Sequence, residues 1–246
     1  MKETRILMGM PVTIEIADPA GQAEFDQVYA YFEGVDRQFS TYKADSELSR
    51  LNRGEFALAQ ASAEMQNVFR MAETLRQHTD GYFDIRHNGA TDPSGLVKGW
   101  AIFNAAEMLW QQGFKNFYVE AGGDFQVYGR NAQGQEWRMG IRSPFNMHEI
   151  VKVIAASGCG VATSGSYIRG QHIYNPKDAQ PLDEIVSLTV IGPNVFEADC
   201  FATAAFAMGR EGIGFIASLE GFEGYMIDRE GLATSTSGFA RYVIHD

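Results

Sequence analysis

Residues 196–209 read "FEADCFATAAFAMG". The run is small and apolar on every side, the pattern of a helix buried all round. Strand-like "IVSLTVIGP" (185–193) precedes it, and a second helix pattern, "EGIGFIASLEG" (211–221), separates it from strand-like "GYMIDRE" (224–230). Inside this helix stand an acid, Asp199, and a hydroxyl, Thr203, four positions apart. That spacing stacks two side chains on one face about 6 Å apart. The local explanation is that Asp199 caps the helix start and Thr203 bonds its own backbone. The spacing alone leaves open whether the pair does more.

Working outward, helices and strands come in groups and do not alternate strictly. "RILMGMPVTIEI" (5–16) alternates as one strand, and 23–38 carry Phe25, Val28, Tyr29, Phe32 and Val35 as the stripe of an amphipathic helix. In "STYKADSELSRLNRG" (40–54), "DSEL" reads as a helix start, and 62–79 form a second long helix. The loop "GATDPSG" (89–95) leads into the helix "LVKGWAIFNAAEMLWQQG" (96–113). The second half is mostly strands: "NFYVEAGGDFQVYG" (116–129), broken by a glycine pair, "EWRMGIRSP" (136–144), "EIVKVIAAS" (149–157) and a closing "FARYVIHD" (239–246). "GVATSGSYIRGQHIYNP" (160–176) reads as a Gly/Ser-rich loop between strands. The grouping predicts an α+β fold, mostly antiparallel sheets with packed helices. One domain over 1–246 is expected, with a two-lobed division near 115–120 as the alternative.

Bulk properties exclude several classes. The chain has 246 residues, 45% hydrophobic and 21% charged, enough for a sizeable core. A net charge of −11 argues against nucleic acid, which requires a basic face. No apolar run approaches the ~20 residues of a membrane span, and the first residues lack the apolar stretch of a signal peptide. A cytoplasmic location is therefore expected. Cys159 and Cys200 lack metal-site spacing and read as buried free thiols.

Four polar, glycine-rich segments carry the candidate chemistry: 81–99, 120–124, 162–176 and the opening helix. Singly, each has a structural reading. "AGGD" is a tight turn, "TDPSG" has turn composition, and His172 beside a strand is an ordinary hydrogen-bonding residue. Lys98, near a helix N-terminus, stands where the macrodipole disfavours a cation. A nearby anion such as a phosphate would explain it; so would simple solvation.

Taken in order, these segments resemble the ApbE family of FAD:protein FMN transferases. "MGMPVTIEI" is similar to the family's opening strand, with Met10 in place of a threonine. "FSTYKADSELSRLN", "GYFDI", "DPSGLVKGWAI", "VEAGGDFQVYG" with "WRMGIRSP", "ATSGSYIRGQHIYNP" and "ADCFATAAFAMG" follow the family's motifs in its own order. The resemblance implies an ApbE-like (T-fold-like) architecture. It also implies Mg²⁺-dependent transfer of FMN from FAD to a Thr or Ser hydroxyl of an acceptor protein, with release of AMP. By position, Asp199, Thr203 and the carbonyl of Gly95 fall on the metal-ligand sites. Mg²⁺ prefers hard oxygen donors and takes few from protein, which raises this reading above simple capping. Met8 and Tyr42 fall at the flavin ring, Phe83 and Asp84 by the adenosine or ring pocket, Asp92 and Lys98 on FAD contacts, and His172 on the transfer step. The same set would serve an FAD pyrophosphatase yielding FMN and AMP; a non-catalytic flavin-binding module would not need it. The chain departs from the family between "GYFDI" and "DPSG", where several dozen residues shrink to "RHNGAT", implying a more open pocket. After "HIYNP" it reads Lys177-Asp178-Ala179, so a glycine turn is lost.

Overall fold

The structure, a computed structural model, describes residues 1–87, 89–146, 148–165, 175–177 and 182–244. An eight-stranded antiparallel sheet organises it. The chain begins with a hairpin, β1 (Lys2–Leu7) and β2 (Met10–Ile16), then three helices: α1 (Gln22–Phe39), α2 (Glu47–Asn52) and α3 (Ala63–His78). A minute hairpin, β3 (Arg86–His87) and β4 (Ala90–Thr91), leads to α4 (Ser94–Gln111). Next come β5 (Phe117–Ala121), β6 (Asp124–Tyr128), the ribbon of β7 (Trp137–Arg142) with β8 (Ile150–Ala156), β9 (Cys159–Gly165) and β10 (Ile185–Gly192). The buried helix α5 (Val195–Ala207), α6 (Gly212–Ser218), β11 (Glu223–Asp228) and β12 (Ala233–Ser235) complete the order. The main sheet runs β1-β2-β5-β6-β9-β10-β11-β12. The segment at 115–120 contributes to β5, an interior strand paired to β2 on one side and β6 on the other.

The sheet separates two apolar layers, because alternate residues of each strand point to opposite faces. Val12, Ile14, Val119, Ala162 and Leu188 pack under the helices. Val127, Val161, Ile191 and Ile227 face the other way, against Trp137, Met139, Ile141 and Ile154 of the β7–β8 ribbon. The expected stripe of α1 is buried in full: Phe25, Val28, Tyr29 and Phe32 at 0% exposure. α5 lies against both α4 and the sheet, which explains its lack of a polar face. Its alanines permit this closeness, as does Gly99 on α4: a Cβ there would stand 2.7 Å from Asp199 Cβ and 2.9 Å from the Val195 carbonyl.

Three expectations are corrected. The single strand over 5–16 is a hairpin whose turn is Met8–Gly9, at φ 52° and 74°. Two positive φ values define the turn whose twist suits a hairpin, but methionine is an unusual occupant, so the turn was not signalled. The loop reading of 160–176 fails at its start: Cys159–Gly165 is a strand between β6 and β10. Its small polar residues are buried by position, not by hydrophobicity. Where a closing strand was expected over 239–246, the described residues form a 3-10 turn, Phe239–Tyr242, and a bridge from Val243 to Ile154. The edge strand lies earlier, at β12.

Candidate active site

A cavity of about 860 Å³ straddles one end of the sheet. On the helix side it reaches Phe83, Asp84, Asp92, Gly95, Lys98, Asp199 and Thr203; on the ribbon side it reaches Thr13, Glu120, Phe125 and Arg142. The turn between β5 and β6 forms its lip. Gly122 and Gly123 there have φ 60° and 97°, a left-handed pair that side chains resist.

The helix-side wall is built by α4 and α5. Asn194, not Asp199, caps α5: its side chain accepts from the Glu197 amide at 2.9 Å. Asp199 is the fifth helical residue, so capping does not explain it. The carboxylate is 2% exposed. Its Oδ2 accepts the Gly99 N–H at 2.9 Å, and Lys98 Nζ stands 3.2 Å from Oδ1. In a regular helix the Gly99 amide points at the Gly95 carbonyl, so this bond brings the Asp199 carboxylate to the end of α4 where that carbonyl lies. Thr203, one turn on, has its Oγ1 3.4 Å from Ser164 Oγ on β9. Gly95 adjoins it, for a Cβ at Gly95 would sit 3.6 Å from Thr203 Oγ1. Asp199, Thr203 and Gly95 therefore share one wall of the cavity.

Electrostatics there are unusual. Burial pushes the Asp199 carboxyl up to about 7, against the opposing pull of Lys98. Lys98 bonds Asp124 Oδ2 as well, and Asp124, 1% exposed, also takes the Thr163 amide on Oδ1 at 2.9 Å. The anion that explains a lysine in the first turns of α4 is thus supplied by the protein itself. Buried charges of this kind hold only while paired; removing one partner typically costs about 3–5 kcal/mol. Glu120, on the outer face, is also raised by burial, and its Oε1 accepts the Gly123 amide at 2.7 Å.

The remaining assigned residues divide. Phe83 is buried beside Gly95 and bonds Thr79 Oγ1 through its amide at 3.0 Å. Asp84 accepts the Arg86 amide, and Asp92 accepts the Ser94 amide, each at 2.9 Å. Asp92 so satisfies a first-turn donor of α4 while facing the cavity, and its turn role and its wall position coexist. Met8 and Tyr42 are not brought to the wall. Met8 occupies the hairpin turn beside Gly9 and Met10, which do line it. Tyr42 is 98% exposed. His172 lies outside the described residues. Asp124 and Ser164 were missed by sequence reasoning; the only signal for Asp124 was its place after the glycine pair.

A divalent cation fits this donor set. A carboxylate, a hydroxyl and a backbone carbonyl are all hard oxygens, too few to complete an octahedron, as Mg²⁺ sites usually are. Among the described residues no group of three His, Cys, Asp or Glu is gathered in a way that could hold a metal. Nor, among those residues, is any helix long and apolar enough to cross a membrane.

Comparison with known proteins agrees with this architecture. A Vibrio cholerae relative named FAD:protein FMN transferase is 28% identical over 249 residues, covering 77% of this chain and 74% of its own. One from Haemophilus influenzae is 24% identical, covering 96% and 91%. One from Salmonella typhimurium is 33% identical over 150 residues, but that match spans only 43% of the relative's length. Among solved structures, the flavin transferase ApbE of Vibrio cholerae superposes with a TM-score of 0.85 at 24% identity, covering 98% of both chains. The ApbE protein of Thermotoga maritima gives 0.87 at 19% identity, covering 100% and 99%. These likenesses establish the fold. The ApbE family model matches residues 8–91 and 86–226, the two segments overlapping at 86–91. On that match, the chain belongs to the ApbE family.

Proposed function

We propose that the protein is a single flavin transferase domain over 1–246. It moves the FMN half of FAD to a threonine or serine hydroxyl of an acceptor protein and releases AMP, with Mg²⁺. The carrying observation is the convergence of Asp199, Thr203 and Gly95 on one wall of a cavity of about 860 Å³. Ligand sites run from about 300 to 1,000 Å³. The names of the Vibrio and Haemophilus relatives support the same reading.

Asp199, Thr203 and the Gly95 carbonyl would hold the Mg²⁺, which when bound neutralises phosphate charge that grows during transfer. Phe83, Asp84 and Asp92 line the pocket where the nucleotide is received, and Lys98, held by Asp124 and Asp199, adds a cation to the same wall. Met8 and Tyr42 would contact the flavin ring, Tyr42 having an exposed face to offer. The acceptor hydroxyl attacks the FMN phosphorus, AMP departs, and His172 takes the hydroxyl proton, a task suited to imidazole chemistry. Two free, buried thiols, Cys159 and Cys200, support a reducing cytoplasmic setting.

Incubation with FAD and Mg²⁺, with and without a peptide carrying a flavinylation motif, tests this by mass spectrometry. Peptide-dependent AMP release with a covalent flavin adduct is expected. AMP without peptide would instead indicate an FAD pyrophosphatase, and bound flavin without AMP a binding module.

A further inference from the structure

Asp124 has no part in the chemistry above, yet it is the acid packed most closely behind the candidate metal residues. Its two oxygens are committed: Oδ1 to the Thr163 amide at 2.9 Å, Oδ2 to the Lys98 ammonium. The same ammonium stands 3.2 Å from Asp199 Oδ1. Lys98, Asp124 and Asp199 thus form one buried cluster of two carboxyl groups and one ammonium, with side-chain exposures of 14%, 1% and 3%. A divalent cation on Asp199 would confront the ammonium at close range. In a partly buried site, unscreened by water, that repulsion is severe. Without a second anion, the ammonium would settle on Asp199 and compete directly for the carboxylate the cation needs.

We infer that Asp124 is a positioning residue that parks the Lys98 ammonium, leaving Asp199 open to a divalent cation. The inference rests on the metal reading given under Proposed function. It makes Lys98 and the cation neighbours that share one cluster, not alternatives. It also accounts for burying an acid at the lip of the cavity, behind a turn that only glycines form easily.

The test is binding of Mn²⁺ and Mg²⁺ to nucleotide-free protein, read by the Mn²⁺ spin-resonance signal and by calorimetry. Asp124→Asn keeps an oxygen for the Thr163 amide, removes the charge, and turns an NH2 group that cannot accept toward Lys98. It should weaken Mn²⁺ binding at least tenfold while the melting curve stays cooperative. Lys98→Met removes the competitor and should tighten binding severalfold. Combined, the two changes should restore affinity to wild type or better. If Asp124→Asn does not fold, Lys98→Met decides alone: unchanged or weaker Mn²⁺ binding refutes the inference. Folded Asp124→Asn with wild-type affinity, or a double variant as weak as the single one, refutes it too. In each of these cases the wild type still binds the ion and the metal reading survives. A wild type with no saturable Mn²⁺ binding removes both together.

Discussion

Gly99→Ala isolates the close approach of α4 to α5 without touching a charge. An alanine Cβ would stand 2.7 Å from Asp199 Cβ, 2.9 Å from the Val195 carbonyl oxygen and 3.0 Å from Asp199 Oδ2. Two of these neighbours belong to helix framework that cannot rotate away, so the helices must separate. Overpacking of this kind costs about 1–3 kcal/mol, and backbone contacts put this case near the upper end. Replacing a helical glycine returns about 0.5–1 kcal/mol. The net loss is about 1–2 kcal/mol, which for a chain of this size lowers Tm by about 2–8 °C. Moving the carboxylate should also weaken Mn²⁺ binding about tenfold. Gly95→Ala is the control for stability: its Cβ would meet Thr203 Cγ2 at 3.4 Å, an ordinary contact, so Tm should hold or rise. Calorimetric melting and Mn²⁺ titration of both variants provide the measurement. Wild-type Tm and affinity in Gly99→Ala, or an equal loss in Gly95→Ala, would refute the packing argument.

Asp199→Asn should cut Mg²⁺-dependent AMP release at least a hundredfold while far-ultraviolet circular dichroism is unchanged; retained activity at saturating metal would remove Asp199 from the ligand set. Because burial raises the Asp199 carboxyl to about 7 from an unfolded value near 3.8, the folded metal-free state binds the extra proton. Its contribution to stability therefore falls as pH rises from about 4 to 7 and is flat above. Cation binding must expel that proton, so Mg²⁺ affinity should fall as pH drops below about 7, with proton release visible by calorimetry in buffers of different ionisation enthalpy; a pH-independent affinity between 5.5 and 8 would contradict it. For Tyr42→Ala, Tm should not move because the ring is exposed, whereas FAD should bind roughly threefold to tenfold more weakly, the scale of one lost aromatic stack. Unchanged FAD affinity by fluorescence titration would take Tyr42 out of the flavin site. His172→Ala should slow turnover with FAD still bound; lost FAD binding would make it a binding residue.

Much of the fold was legible because its signals are local. The stripe of α1 repeats every three to four residues, the Asp199–Thr203 pair lies within one helical turn, and the glycine pair at 122–123 can hardly be anything but a turn. A helix apolar on all sides announced its burial before any neighbour was known. Tertiary structure alone decided the rest. It made a turn of Met8–Gly9, because pairing of β1 with β2 supplies what methionine's own preference does not. It made a strand of the polar 159–165 by enclosing it between β6 and β10. It also gave Lys98 its counter-charges, from Asp124 and from Asp199 101 positions on. Sequence rules reach about one turn or one strand pair, while the free energy of a buried charge depends on whichever groups packing brings within a few ångströms. The spacing of Asp199 and Thr203 was therefore readable in the chain, and the electrostatic frame around them was not.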